Sequence, residues 1–190
     1  MNEDRSARFA RLLLPHLASA YRLARWLVRA HEDAEDVVQD AYLQAHRAFD
    51  SLRGEAEARA WLLAIVRHSA YGWLRARQRL PVHEGFDDAL HEGGAHATAA
   101  GQTPTDTNPE ALLLRREDAA RLHAAVDQLP LVFREVLVLR EFEGLSYREI
   151  AALVGVPNGT VMSRLARARQ QLLRCLVDTA PAPPPPVQNV

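Results

Sequence analysis

The sequence predicts an all-α fold made of two small helical domains joined by a flexible linker, the C-terminal domain being a helix-turn-helix. Three observations lead there. Apolar residues recur at spacings of three and four towards both ends of the chain, the signature of amphipathic helices. The stretch 81–109 holds Gly93, Gly94, Gly101 and Pro104 but few bulky apolar residues, too few to bury a core. Residues 144–169 carry a helix start, a tight turn and a second helix in close succession.

The first predicted domain is 1–80. Phe9, Leu12 and Leu13, then Leu17, Tyr21, Ala24, Leu27 and Val28, then Val37, Val38, Ala41, Tyr42 and Ala45 mark three or four helices with these residues facing the core. Turn-forming Asp50, Ser51 and Gly54 separate them from a further helix built on Ala60, Trp61, Ala64, Ile65, His68, Tyr71 and Leu74. Trp61 shares its face with Ala64 and Ile65 and is read as packing. After the linker 81–109, the second domain, 110–178, draws its core from Leu112, Leu113, Leu122, Val126, Leu129, Phe133, Val136, Leu137 and Leu139. The tail 179–190, with four consecutive prolines, is expected to be disordered and extended.

Within the second domain, Ser146 and Glu149 have the spacing of a capping box just ahead of Ile150, Ala151 and Leu153. Gly155 supplies the positive φ that closes a helix, and Pro157 stands where the next one starts. Beyond it Val161, Leu165 and Ala168 share one face, which leaves Thr160, Met162, Ser163, Arg164, Arg167 and Arg169 to the others. From Gly155 to Val177 there is no Asp or Glu. Such a helix suits the major groove of DNA, where arginine reads guanine edges and hydroxyl and backbone N–H groups hold phosphates. An amphipathic helix with a merely solvated arginine face is the plain alternative. The order of capping box, turn and arginine helix outweighs it.

Composition bounds the rest. Of 190 residues, 48% are hydrophobic and 25% charged, which is ordinary for a soluble globular protein. The formal net charge of -1 conceals strong segregation. Arg59, Arg67, Arg75, Arg77 and Arg79 lie in the acid-free stretch 58–83, whereas Glu32, Asp33, Glu35, Asp36 and Asp40 crowd one short segment. Cys175, the only cysteine, excludes an intramolecular disulfide and a cysteine-rich zinc site, and suits the cytoplasm. With Glu3 and Asp4 at the start and Pro15 interrupting the leucine run 12–14, neither a signal peptide nor direct membrane insertion is expected. His31, His83, His91 and His96 make no ligand-like pair on a helix, and no nucleophile triad, phosphate loop or paired-carboxylate site can be argued. The chain is therefore read as a non-enzyme without cofactor or metal.

A second motif sharpens the function. Asp33-Ala-Glu-Asp-Val-Val-Gln-Asp-Ala-Tyr42 followed by Ala60-Trp-Leu-Leu-Ala-Ile-Val-Arg67 resembles the polymerase-binding and promoter-opening domain of extracytoplasmic-function sigma factors, in the sigma-70 family, and 144–169 resembles that family's promoter-reading domain. The two motifs stand in the family's order. The resemblance implies a transcription initiation factor that binds core RNA polymerase and promoter DNA, under the control of an anti-sigma factor. It places polymerase contacts on Asp33, Glu35, Asp36, Gln39 and Asp40, and contacts to the -10 element on Asp50, Ser51, Arg53, Arg67, Tyr71, Trp73, Arg75 and Arg77. Contacts to the -35 element fall on Ser146, Tyr147, Asn158, Gly159, Thr160, Met162, Ser163, Arg164 and Arg167. Aromatic rings interleaved with arginines suit single-stranded DNA, since bases stack on rings while guanidinium groups neutralise phosphates. His68, Gly72 and Met162 depart from residues common in the family; a thioether cannot donate to guanine, so Met162 implies an altered -35 preference at one base. The competing function is a stand-alone helix-turn-helix regulator that binds duplex operators. A helical adaptor for proteins only is disfavoured by the acid-free arginine helices.

Overall fold

The computed structural model describes the backbone of residues 2–79 and 109–178, with side chains for 5–77 and 117–177. Among the described residues there are eight α-helices and no strand. Helices α1 (Asn2–Leu13), α2 (Leu17–Val28), α3 (His31–Ala48) and α4 (Ala58–Arg79) form the N-terminal half. Helices α5 (Pro109–Asp127), α6 (Leu131–Leu137), α7 (Tyr147–Val154) and α8 (Asn158–Asp178) form the C-terminal half. The composition-based linker thus lies, Pro109 excepted, outside the described residues, as do the tail and the side chains of Leu112 and Leu113.

Local chemistry explains the breaks. Pro15 sits inside a 3-10 turn between α1 and α2, where its missing N–H does least harm. Helix α2 ends on Arg29, a non-glycine residue at φ 69°, and the N–H of Ala30 donates to the carbonyl of Val28 in a tight γ-turn. After α3, two 3-10 turns, Phe49–Ser51 and Glu55–Glu57, bracket the segment that leads into α4. Helix α6 passes directly into a π-helical turn, Val138–Phe142, in which the N–H of Glu143 reaches back to the carbonyl of Val138 at 3.0 Å.

The apolar faces of the helices meet in one hydrophobic cluster that runs through both halves, but α4 buries Leu62, Leu63, Val66 and Ala70 rather than the expected face, on which Trp61, Ile65 and Tyr71 are half-buried and His68 is exposed. Ala20, Leu23, Ala34, Ala41, Ala45, Leu62, Leu63 and Val66 are completely buried in the N-terminal half, where the alanines let α2, α3 and α4 approach closely. Val136, Leu139, Ile150, Val161, Leu165 and Ala168 are buried to the same degree in the other. Two leucines assigned to the core by spacing are corrected: Leu17 is 46% exposed and Leu122 37% exposed.

Candidate nucleic-acid and polymerase interfaces

The helix-turn-helix forms as its residues dictate. The Ser146 hydroxyl accepts the Glu149 N–H at 3.2 Å while a Glu149 carboxylate oxygen accepts the Ser146 N–H at 2.7 Å, so two orphan donors at the start of α7 are satisfied reciprocally. These hydrogen bonds to Ser146, side chain first and backbone second, hold the Glu149 carboxyl below its usual range. Gly155 closes α7 at φ 74°, a conformation that L side chains rarely adopt. The carbonyl of Pro157 then accepts the N–H groups of Thr160 and Val161, which starts α8 at once.

On α8, Val161, Leu165 and Ala168 are buried, as the spacing requires, while Asn158, Gly159, Met162, Ser163 and Arg167 are exposed and Thr160 and Arg164 half-buried. Among the described residues no carboxylate pairs with Arg164 or Arg167. Arg169 differs: its guanidinium donates to Glu141 at 2.6 Å. Two of the expected DNA contacts have structural duties as well. Ser146 is the cap of α7, and Tyr147 is half-buried with the Arg140 guanidinium 4.9 Å above its ring.

The acidic segment lies on α3, with Glu35, Asp36, Gln39 and Asp40 exposed on the side away from Val37, Val38 and Ala41. Asp33 is set apart from them, four-fifths buried and bound to Arg77 at 2.8 Å. Between α2 and α3 runs an open groove of about 500 Å³ lined by Leu17, Ala18, Tyr21, Val38 and Tyr42, with Glu35 and Gln39 also on its wall. Sequence reasoning found the acidic edge and missed the apolar floor beside it. Leu17 was the available signal, but its helical phase resembles that of a core residue.

The residues expected to hold the -10 strand are split. Asp50, Ser51 and Arg53 stand at the entry to α4; Asp50 pairs with Arg5 at 3.2 Å, and the Ser51 hydroxyl donates to the Ala48 carbonyl. Trp73, Arg75 and Arg77 are some twenty residues further on, about 25 Å along the axis of α4 from its start. Arg75 is exposed, and Arg77 covers the Trp73 ring at 4.8 Å. Between these ends, Arg67 and Tyr71 are half-buried. They face the C-terminal half, where Arg67 donates to Glu135 at 2.6 Å and the Tyr71 hydroxyl donates to the other oxygen at 3.1 Å. Burial first, and then the Glu135 carboxylate, push the Tyr71 phenol up to about 12.

Two segments match known family models: residues 12–80 match sigma-70 region 2, and residues 119–172 match sigma-70 region 4. The chain is 39% identical over 147 residues to the RNA polymerase sigma-H factor of Pseudomonas aeruginosa, a match that covers 76% of this chain and 74% of that one. It is 38% identical over 140 residues to the ECF RNA polymerase sigma-E factor of Escherichia coli strain K12, covering 74% and 72%. Among solved structures, the sigma factor RpoE of Bartonella quintana, in complex with the anti-sigma factor NepR, superposes with a TM-score of 0.70 at 27% identity, over 91% of this chain and 99% of that one. No helix among the described residues is long and apolar enough to cross a membrane. With both regions matched in order and relatives of this identity over most of their length, the chain belongs to the extracytoplasmic-function group of the sigma-70 family of RNA polymerase sigma factors.

Proposed function

We propose that this sigma factor divides its work between residues 1–80, which bind core RNA polymerase and the -10 element, and residues 110–178, which read the -35 element. The observation that carries this reading is the presence in one chain of an exposed acidic edge on α3 and, on α8, of Arg164 and Arg167, which pair with no carboxylate among the described residues. Glu35, Asp36, Gln39 and Asp40 present acceptors to a basic partner helix, and the groove floored by Leu17, Tyr21 and Val38 offers it apolar contact. Asp33 contributes indirectly, by anchoring Arg77.

On the DNA side, the free first-turn N–H groups at Asn158 and Gly159, with Thr160 and Ser163, hold phosphates at the mouth of the groove, while Met162, Arg164 and Arg167 face base edges. Arg53, Trp73, Arg75 and Arg77 are accessible to a separated strand; Arg67 and Tyr71 join them once released from Glu135. The protein works in the cytoplasm, where its polymerase is. An anti-sigma factor restrains it, a reading supported by the similar RpoE structure, which was solved with its anti-sigma factor bound.

Reconstituted run-off transcription tests this directly. Core polymerase with the chain should initiate at a promoter set that core alone does not use, and the isolated chain should bind the same promoters only weakly as duplex. Tight duplex binding without polymerase, and no association with core, would instead establish the stand-alone regulator.

A further inference from the structure

Helix α1 carries Arg5, Arg8 and Arg11 at intervals of three, and all of them reach the segment 49–57 that joins α3 to α4. Arg5 holds one end of it. Its Nε donates to one Asp50 carboxylate oxygen at 3.2 Å, while its Nη2 lies 3.5 Å from the other and donates to the His46 carbonyl at 2.8 Å. That carbonyl belongs to the last turn of α3, where no donor within the helix remains to meet it. At the other end Arg11 donates to Glu55 at 2.9 Å, with Arg8 4.0 Å from the same oxygen. Beneath these contacts the Phe9 ring of α1 meets Phe49 edge-on at 5.2 Å, and Phe49 and Leu52 are buried. The segment is thus pinned from inside by two apolar side chains and from outside by the arginines of α1.

We propose that Arg5 and Arg11, with Arg8 beside them, are positioning residues for promoter recognition: they hold segment 49–57 in the arrangement in which it meets the -10 element. The inference rests on the assignment of that segment to the -10 element made above. Charge is the first reason. The segment carries Asp50, Glu55 and Glu57 against Arg53 alone, a balance that repels a phosphate backbone. The α1 arginines neutralise two of these acids and leave Arg53, exposed and paired with no carboxylate among the described residues, to the strand. Direction is the second reason. A carboxylate that accepts from a base amino group discriminates between bases only when its orientation is fixed, and the two nitrogens of Arg5 fix that of Asp50. With the Asp50 side chain 81% exposed and that of Arg11 65% exposed, such pairs add little to stability. Their effect falls on the shape of the segment instead.

Hydrogen exchange of the full chain reads the positioning without DNA. The N–H groups of Leu52 and Glu57 donate to the Phe49 and Gly54 carbonyls within the segment. In Arg5→Ala with Arg11→Ala these amides should exchange about tenfold faster while those of α2 and α3 keep their rates, which separates a loosened segment from an unfolded half. Glu55→Ala removes the Arg11 pair from the other side and should raise exchange at Glu57 likewise, which guards against loss of α1 in the arginine variant. With core polymerase and a library randomised at the -10 element, the arginine variant should lose about tenfold in selectivity at particular -10 positions and keep the parent's -35 profile and affinity for core. Unchanged exchange in the segment overturns the inference. Faster exchange with the parent's -10 profile also overturns it where Asp50→Ala or Arg53→Ala alters that profile. If neither of those variants alters it, the segment does not read the -10 element, and that assignment falls and takes the inference with it.

Discussion

Arg77 donates to Asp33 at 2.8 Å across 44 positions of sequence, so the last turns of the basic helix α4 are fastened to the first turn of the acidic helix α3. The same guanidinium lies over Trp73. One side chain therefore fixes the Trp73 ring relative to the acidic edge of α3.

Because Arg77 is 63% exposed, Arg77→Ala should lower stability by less than about 1 kcal/mol. Its effect on open-complex formation should be larger than that of Arg75→Ala, since Arg75 has no such anchoring role. Urea unfolding and permanganate footprinting of the melted region measure the two effects separately.

Asp36→Arg should weaken the association with core polymerase more than Gln39→Ala, because reversal adds repulsion against a basic partner while truncation only removes a hydrogen bond. Both side chains are exposed, so helicity should be unchanged. Fluorescence anisotropy against core enzyme reads the affinities; equal binding by both variants and the parent would leave this edge to solvent.

Arg167→Ala should relax selection at particular -35 positions by roughly 1–3 kcal/mol, whereas loss of a phosphate contact should weaken all promoters about equally. Met162, 53% exposed on the same helix, offers no hydrogen-bond donor, and Met162→Arg should move the preference towards guanine at one position. A randomised promoter library transcribed with each variant reports both shifts. Identical sequence profiles would exclude α8 as the reader.

Ser146→Ala should destabilise the C-terminal half by about 1 kcal/mol, and Gly155→Ala by a similar amount, the second through its left-handed backbone alone because nothing lies within 4 Å of a new Cβ. The first effect should depend on pH. Glu149 titrates below its ordinary value of 4.5 in the folded chain, so its contribution is complete above that value and is lost as pH falls through the lower folded value. Thermal melts from pH 7 to pH 3 should show the Ser146→Ala difference shrinking in that acid range.

The local elements of this fold were legible because their causes are local. A capping box, a left-handed glycine and a three-four apolar rhythm each act within a few residues, and α7, the turn and α8 follow from them. The acidic edge of α3 was legible for the same reason. What the sequence concealed was the relation between the halves. Glu135 and Glu143 carry no signal in the sequence, since nothing nearby in the chain reveals that arginines about 70 and 120 residues earlier will enclose them. For the same reason the pairing of Arg67 and Tyr71 with Glu135 was hidden, and Leu17 read as buried.

The π-helical turn at Val138–Phe142 acquires a meaning when helix positions are counted as phase angles. In an uninterrupted α-helix, two side chains eight residues apart, such as Glu135 and Glu143, point roughly 80° away from each other around the axis. The widened turn absorbs one residue, leaving the pair offset like residues seven apart, roughly 20°. Both acids then aim at the same neighbour. Coupling between the halves is in this sense a matter of residue count within one turn, the same turn that carries the buried Val138 and Leu139.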